Sequence, residues 1–384
     1  MLENALKILN KFNDEGYEAY IVGGYVRDHL LDRPCKDIDI TTNCLPEKVM
    51  ELFSNNFYQS TKYKTVTVRM GDFSYEVTTY RTDSHYKDHR HPVTKVAKKL
   101  KSDVKRRDFT CNAICMDKNM NIIDYVGGRE DIKAKIIKTV GNPARRFNED
   151  ALRMLRAFRF ASRLDFKIDK KTYEAIKHNA HTFKYVSKER IRDELSKMLL
   201  EPYFKNNLSI MINSGIFKNM PETLKALKIL NARYQDINII EFFALSSYYK
   251  GEPITDEFIL SKKEQKFIED VLLYINKLIN KNLDSYDLLD LNIEELDVAL
   301  KVLSIIGQNY YKRSDIIELY NSMPIKSESE LSVNGSDIKK ALNLEDSPLI
   351  KTYIKKALEG VLYNGVKNNK SALLKYLKEV KNEE

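Results

Sequence analysis

Tyr20-Ile-Val-Gly-Gly-Tyr-Val-Arg-Asp28, followed closely by Asp37-Ile-Asp-Ile40, is the stretch around which the chain is organised. The first part spells strand, tight glycine turn, helix. A glycine turn feeding a helix N-terminus presents backbone N–H groups to phosphates. Asp37 to Thr41 reads as a second strand. Strand residues two apart share a face, so the Asp37 and Asp39 carboxylates stand together while Ile38 and Ile40 enter the core. Like charges this close repel unless a metal or cation offsets them, and paired carboxylates suit Mg²⁺. The plainer reading is two acids on an exposed strand. The glycine turn before them, with Arg27 in reach, favours phosphoryl or nucleotidyl transfer.

Working outward, the 384 residues suffice for two or three domains. The chain is 43% hydrophobic and 31% charged, a globular composition. No run approaches the roughly 18 unbroken apolar residues of a membrane span. Residues 1–11 pattern as an amphipathic helix rather than a signal peptide, so a cytoplasmic location is expected. Formal net charge is +9, which favours a polyanionic partner. The charge is uneven: residues 85–107 carry Lys87, Arg90, Lys95, Lys98, Lys99, Lys101, Lys105, Arg106 and Arg107 against Asp88 and Asp103. That segment reads either as a phosphate-neutralising surface or as a solvated loop. Cys35, Cys44, Cys111 and Cys115 lack zinc-pair spacing and read as small buried apolar residues.

Period-2 patterns mark strands at 65–70 and 75–80, joined at Gly71-Asp72, and a second hairpin over 109–116 and 121–126. Helices are expected over 2–15, from Val26 to Leu31 and from Pro46 to Phe53. The first 130 or so residues thus form a small α/β domain with a mixed or antiparallel sheet. From Asn148 the pattern is helical, beginning with one helix over 148–164. Ser187 caps another, Pro324 and Ser327-Glu-Ser-Glu330 interrupt the pattern, Asn334-Gly-Ser-Asp337 begins the last helices, and Ser347-Pro348 opens one of them.

Further stretches carry chemistry. Glu76, on the hairpin strand, is a candidate third acid or a surface glutamate. Arg106-Arg-Asp-Phe-Thr-Cys-Asn-Ala113 offers planar guanidinium forks for phosphate or sugar oxygens, or is simply a basic strand start. In Glu149-Asp-Ala-Leu-Arg-Met-Leu-Arg-Ala-Phe-Arg159, Asp150 and Arg153 are helical neighbours. They make either a plain ion pair or a base reader. A carboxylate accepting from an exocyclic amino group, beside a guanidinium donating to a ring nitrogen, suits cytosine and adenine. Uracil and guanine would leave both groups mispaired.

Taken together, Gly23-Gly-x-Val-Arg-Asp28 with Asp37-x-Asp39, Arg106-Arg-Asp-Phe-Thr110 and Glu149-Asp-x-x-Arg153 resemble the class II tRNA nucleotidyltransferases, the bacterial CCA-adding enzymes of the DNA polymerase β-like superfamily. Ser187-Lys-Glu-Arg-Ile-Arg-Asp-Glu-Leu195 resembles that family's further helical motif. The match is ordered over residues 18–200 and weak over 203–320. It implies an α+β fold: a polymerase β-like head (1–140), then an all-α neck (141–203), body (204–324) and tRNA-binding tail (325–384). It implies addition of C, C and A to the tRNA 3′ end from CTP and ATP, with the protein as template. Asp37 and Asp39 would hold Mg²⁺ and carry catalysis; Gly24 and Arg27 would hold the triphosphate. Arg107 would contact the nucleotide, Asp150 and Arg153 would read the base, and Arg156 and Arg159 would complete the site. Residues 83–103 correspond to the family's flexible loop, where Asp88-His-Arg90 is close to the family pattern. His91, Cys111 and a Lys/Asn-rich body depart from it. Close alternatives are a CC-adding enzyme, an A-adding enzyme or a bacterial poly(A) polymerase; a distant one is a catalytically inactive RNA-binding protein.

Overall fold

The computed structural model describes residues 1–54, 57–60, 65–86, 92–344 and 348–383. Asp88, Arg90, His91 and Ser347 therefore lie outside the described residues. Internal contacts divide the chain into two compact units, Met1–Ile239 with Asp256–Ile259, and Ile240–Thr255 with Leu260–Glu384.

The first unit opens with helix α1 (Leu2–Asp14), which buries Ala5, Ile8, Leu9 and Phe12 at helical spacing. Strand β1 (Ala19–Val22) turns at Gly23 into α2 (Gly24–Leu30), and β2 (Asp39–Thr42) pairs with β1. Helix α3 (Pro46–Leu52) has its proline in the first turn, where no N–H is needed. Strand β3 (Phe57–Ser60) is followed by the hairpin of β4 (Thr65–Met70) and β5 (Phe73–Thr79). Its turn residue Gly71 has φ +62°, a left-handed conformation open to glycine. The basic segment, read as loop, contains a strand pair, β6 (Arg81–Tyr86) and β7 (Pro92–Val96), and the helix α4 (Leu100–Lys105). The second expected hairpin is present but short: β8 (Ile114–Met116) and β9 (Ile122–Asp124), with a 3₁₀ turn over Thr110–Asn112.

Among the described residues the main sheet runs β3-β4-β5-β2-β1-β8-β9, antiparallel except where β2 lies parallel to β5. Ile38 and Ile40 are buried as the alternation required. Asp37, however, precedes the strand, which starts at Asp39. Cys44, Cys111 and Cys115 are buried and free, while Cys35 is only half-buried; its thiol donates to the Asp37 carbonyl at 3.2 Å.

Helix α5 (Gly128–Lys133) leads to β10 (Ile136–Ile137), then α6 (Pro143–Glu149), α7 (Leu152–Leu164) and β11 (Lys167–Ile168), which pairs with β10. The expected single helix over 148–164 is thus two. Asp150 takes extended backbone, φ −152° and ψ 105°, between α6 and α7. Its Oδ1 accepts from the Leu152 N–H at 3.1 Å, a local bond that competes with helix continuation. Helices α8 (Lys170–Asn179), α9 (Lys188–Leu199), α10 (Phe204–Ser214) and α11 (Pro221–Ala232) complete the unit. The boundary read at 203/204 falls inside it: the Tyr203 N–H donates to the Ser162 carbonyl at 2.9 Å, and Phe204 is buried.

The second unit is helical: α12 (Ile239–Lys250), α13 (Lys262–Ile279), α14 (Ile293–Ile306), α15 (Arg313–Ser322), α16 (Gly335–Leu342), α17 (Leu349–Leu362) and α18 (Lys370–Glu383). Asn334 and Asp337 form a reciprocal capping box at the start of α16. Ile338, Leu342, Ala357, Leu358, Leu373 and Leu377 join in one core. Among the described residues no helix is long and apolar enough to cross a membrane.

Candidate active site

The glycine turn, the start of β2, the Arg107–Asn112 segment and one face of α7 enclose a cleft of about 470 Å³. Gly23 has φ +82° and ψ −129°, a region closed to residues with a side chain. A Cβ there would stand 3.7 Å from both Arg107 Nη1 and Asp39 Oδ2. The turn therefore sets an acid and a guanidinium on either side of a bare backbone. Gly24 lines the same wall.

Asp37 and Asp39 both line the cleft. Register places Asp39 beside Val22 on β1 and Glu76 on β5. Asp39 opens towards the cleft, yet its carboxyl is pushed up to about 6, first by loss of water around it and then by the negative charge of Glu76; Asp37 adds to this and Arg107 opposes it. This is a carboxylate set short of positive charge. Hard oxygen donors of this kind fit a divalent metal. Among the described residues no group of three potential metal-ligating side chains is close enough to hold an ion.

The opposite wall is cationic, but most of its guanidiniums are already held. Arg27, 1% exposed, donates Nε and Nη2 to Asp28 at 2.8 Å each and Nη1 to Asn112 Oδ1 at 2.5 Å. It lines the cleft with its guanidinium already held by these partners. Arg107 is tied at one end to buried Asp103, Nη2 to Oδ2 3.2 Å, while its Nε has no partner among the described residues. Arg156 grips Asp108 through Nε at 2.9 Å and Nη2 at 2.6 Å. Burial alone would raise the Asp108 carboxyl; the charge and hydrogen bonds of Arg156, with the Phe109 N–H and Arg153, bring it down to about 2. Arg159 bonds Glu194 and faces Glu201 at 3.7 Å. Arg163, 42% exposed, pairs with Asp28 at 3.3 Å. Arg107, Arg156, Arg159 and Arg163 all line the cleft.

Asp150 and Arg153 do not line the cleft, and they do not pair with one another as an i, i+3 helical couple. The Arg153 N–H donates to the Asp150 carbonyl at 3.1 Å, but their side chains take other partners. Asp150 receives a two-pronged bond from Arg190, at 3.1 and 2.8 Å. Arg153 is buried and donates to Glu149 Oε2 at 3.0 Å and to the Arg146 carbonyl at 3.1 Å.

Sequence reasoning missed Asp103, Asp108, Asn112, Arg163, Arg190 and Glu194 as site residues. Asp108 and Asn112 sat inside a stretch singled out for its arginines, and Arg190 and Glu194 inside the Ser187 motif. Asp103 carried one signal, an acid alone among cations. Buried, it accepts from Arg106, Arg107, the Arg81 N–H and Thr41.

Together these elements define a nucleotidyltransferase: a small mixed sheet, a glycine turn beside an acid pair, and a cationic helix across the cleft. The Poly A polymerase head domain model matches residues 19–138, the "Probable RNA and SrmB-binding site of polymerase A" model residues 165–227, and "tRNA nucleotidyltransferase domain 2 putative" residues 250–377. A CCA-adding enzyme of Bacillus cytotoxicus is 36% identical over 97% of each chain. One of a Geobacillus species is 36% identical over 98% of this chain and 96% of its own. The Bacillus stearothermophilus CCA-adding enzyme, solved in complex with CTP, superposes with TM-score 0.83 at 32% identity, covering 99% of this chain and 97% of its own. This chain belongs to the CCA-adding enzyme family. The Thermotoga maritima enzyme, solved with tRNA, shares the fold at TM-score 0.64 and 20% identity, covering 98% of this chain and 95% of its own.

Proposed function

We propose that this protein adds C, C and A to the 3′ end of tRNA, using CTP and ATP and releasing pyrophosphate. The observation that carries this reading is the cleft itself, where the Gly23 turn holds Asp39 and Arg107 about a shared backbone gap opposite the α7 arginines. Asp37 and Asp39 act as the catalytic carboxylates and would hold Mg²⁺, with Glu76 beside them as a candidate third acid. When bound, the metal supplies activation of the attacking hydroxyl and neutralisation of charge on the leaving pyrophosphate. The chain's own residues do the rest. Gly23 and Gly24 let the triphosphate approach the backbone closely, and Arg27 fixes the floor. Arg107, Arg156 and Arg159 complement the phosphates and sugar. Holding them on Asp103, Asp108 and Glu194 orients them before substrate arrives, so little reorganisation is left for the reaction.

Base choice falls to Asp150 and Arg153, whose acceptor and donor match cytosine and adenine and mismatch uracil and guanine. In the conformation described both are held by Arg190 and Glu149, so reading a base requires their exchange from protein partner to nucleotide. The division into head (1–140), neck (141–203), body (204–324) and tail (325–384), and a cytoplasmic location, belong to the same proposal.

The test is stepwise addition to tRNAs lacking CCA, CA or only the final A, with each NTP labelled in turn. C, C and A in order, then a stop, is expected. A product ending at CC, a single A added only to CC-ended tRNA, or a long A ladder would assign the chain to the CC-adding, A-adding or poly(A) alternatives. Binding of tRNA with no incorporation would make it an inactive RNA-binding protein.

A further inference from the structure

The basic stretch 95–107 is not exhausted by the cleft. Lys101 and Lys105 fall one turn apart on α4, opposite its buried residues Leu100, Asp103 and Val104. Lys101 Nζ lies over the ring of Tyr125, 5.8 Å from its centroid, and that ring is 45% exposed. Lys105, Tyr125, Asn142, Arg145 and Arg146 line a hollow of about 540 Å³, room for a nucleotide. The nearest acids are occupied. Asp124 accepts from the N–H groups of Val126, Gly127 and Arg129. Glu149 accepts from Arg145, Arg146 and Arg153. Among the described residues Lys101 and Lys105 form no ion pair. The hollow and the cleft share a wall: Arg107 and Asp108 line one, Lys105 lines the other, and Arg146 Nη2 binds the carbonyls of Lys105 at 2.6 Å and Arg107 at 2.7 Å behind it.

An exposed aromatic face flanked by unpaired cations is the combination that holds single-stranded nucleic acid, by base stacking and phosphate neutralisation. We propose that Tyr125, Lys101 and Lys105 form a docking surface for the single-stranded 3′ end of the RNA substrate, with one base stacked on Tyr125 and the phosphates along α4. The proposal rests on the RNA-extending function above and adds where the strand lies as it leaves the cleft.

The test measures Kd for two fluorescent RNA minihelices, one with a single-stranded 3′ end and one blunt, alongside KM values for the overhanging RNA and CTP. Tyr125→Ala should weaken binding of the overhanging RNA about tenfold, within the range of one stacked base, and raise its KM equally. KM for CTP and affinity for the blunt RNA should not move. Tyr125→Phe, which keeps the ring, should bind as the unaltered protein does. Lys101→Glu with Lys105→Glu should lower the slope of log Kd against log salt by about two. Thermal unfolding of each variant controls for folding. Unchanged Kd and salt slope would overturn the surface, and equal loss on both RNAs would overturn the single-stranded assignment. Tyr125-dependent binding without incorporation would sink the catalytic reading and leave this surface standing; incorporation with unaltered RNA binding in the variants would do the reverse.

Discussion

The two sides of the candidate site were built by different means. Around Gly23 the backbone does the work. A glycine conformation at Gly23 leaves bare backbone between Asp39 and Arg107, and the β2 register fixes Glu76 beside Asp39. Around Asp150 the backbone instead breaks a helix, and side-chain pairing with Arg190 and Glu149 decides where Asp150 and Arg153 rest. A site fixed by backbone presents its groups permanently. One fixed by ion pairs can exchange partners, most readily at the partly exposed Asp150–Arg190 pair, since such a pair contributes little to stability. Chemistry that is the same for every nucleotide suits the first; a choice between bases suits the second.

The comparison can be broken most forcefully at Asp39. Asp39→Asn should lower kcat by about a thousandfold, the scale lost with a group that stabilises charge in the transition state, with the melting temperature unchanged or raised, since Glu76 and Asp37 repel the native carboxylate. Single-turnover kinetics with calorimetry checks both; retained activity would remove Asp39 from the reaction. A second probe is pH. The Asp108 carboxyl lies near 2 in the folded protein against about 3.9 unfolded, so its contribution is complete above pH 4 and fades as pH falls from there towards 2. It amounts to about 2–3 kcal/mol. Urea unfolding of the protein and of Asp108→Asn should therefore differ at pH 7 and converge near pH 2. The smallest effect is expected at Arg190. Arg190→Gln frees Asp150 from a competing partner and should lower KM for CTP by about two- to fivefold, the worth of a partly exposed pair. A raised KM would mean that Arg190 holds Asp150 ready to read.

What was legible in the sequence follows the same divide. The glycine turn, the acids, the β4–β5 hairpin and the buried face of α1 were readable because local spacing determines them. The strand pair inside the basic segment was hidden by its charge, which tracks solvent exposure and not backbone conformation. The break at Asp150 was hidden because the buried Phe147, Ala151, Leu155 and Phe158 keep a helical period across it, while an Asx bond to the Leu152 N–H interrupts the ladder. The tie of Glu194 to Arg159 across two helices depends on tertiary packing, which spacing does not report.

The central claim is that residues 23–39 carry out the transfer while the 149–153 turn selects the base. It is tested most directly by kcat/KM for CTP and UTP in Asp150→Asn, with tRNA lacking CCA as acceptor. An amide offers both donor and acceptor, so the preference for CTP over UTP should collapse by about ten- to a hundredfold while total incorporation persists. An equal fall for both nucleotides, with the preference intact, would contradict the division of labour.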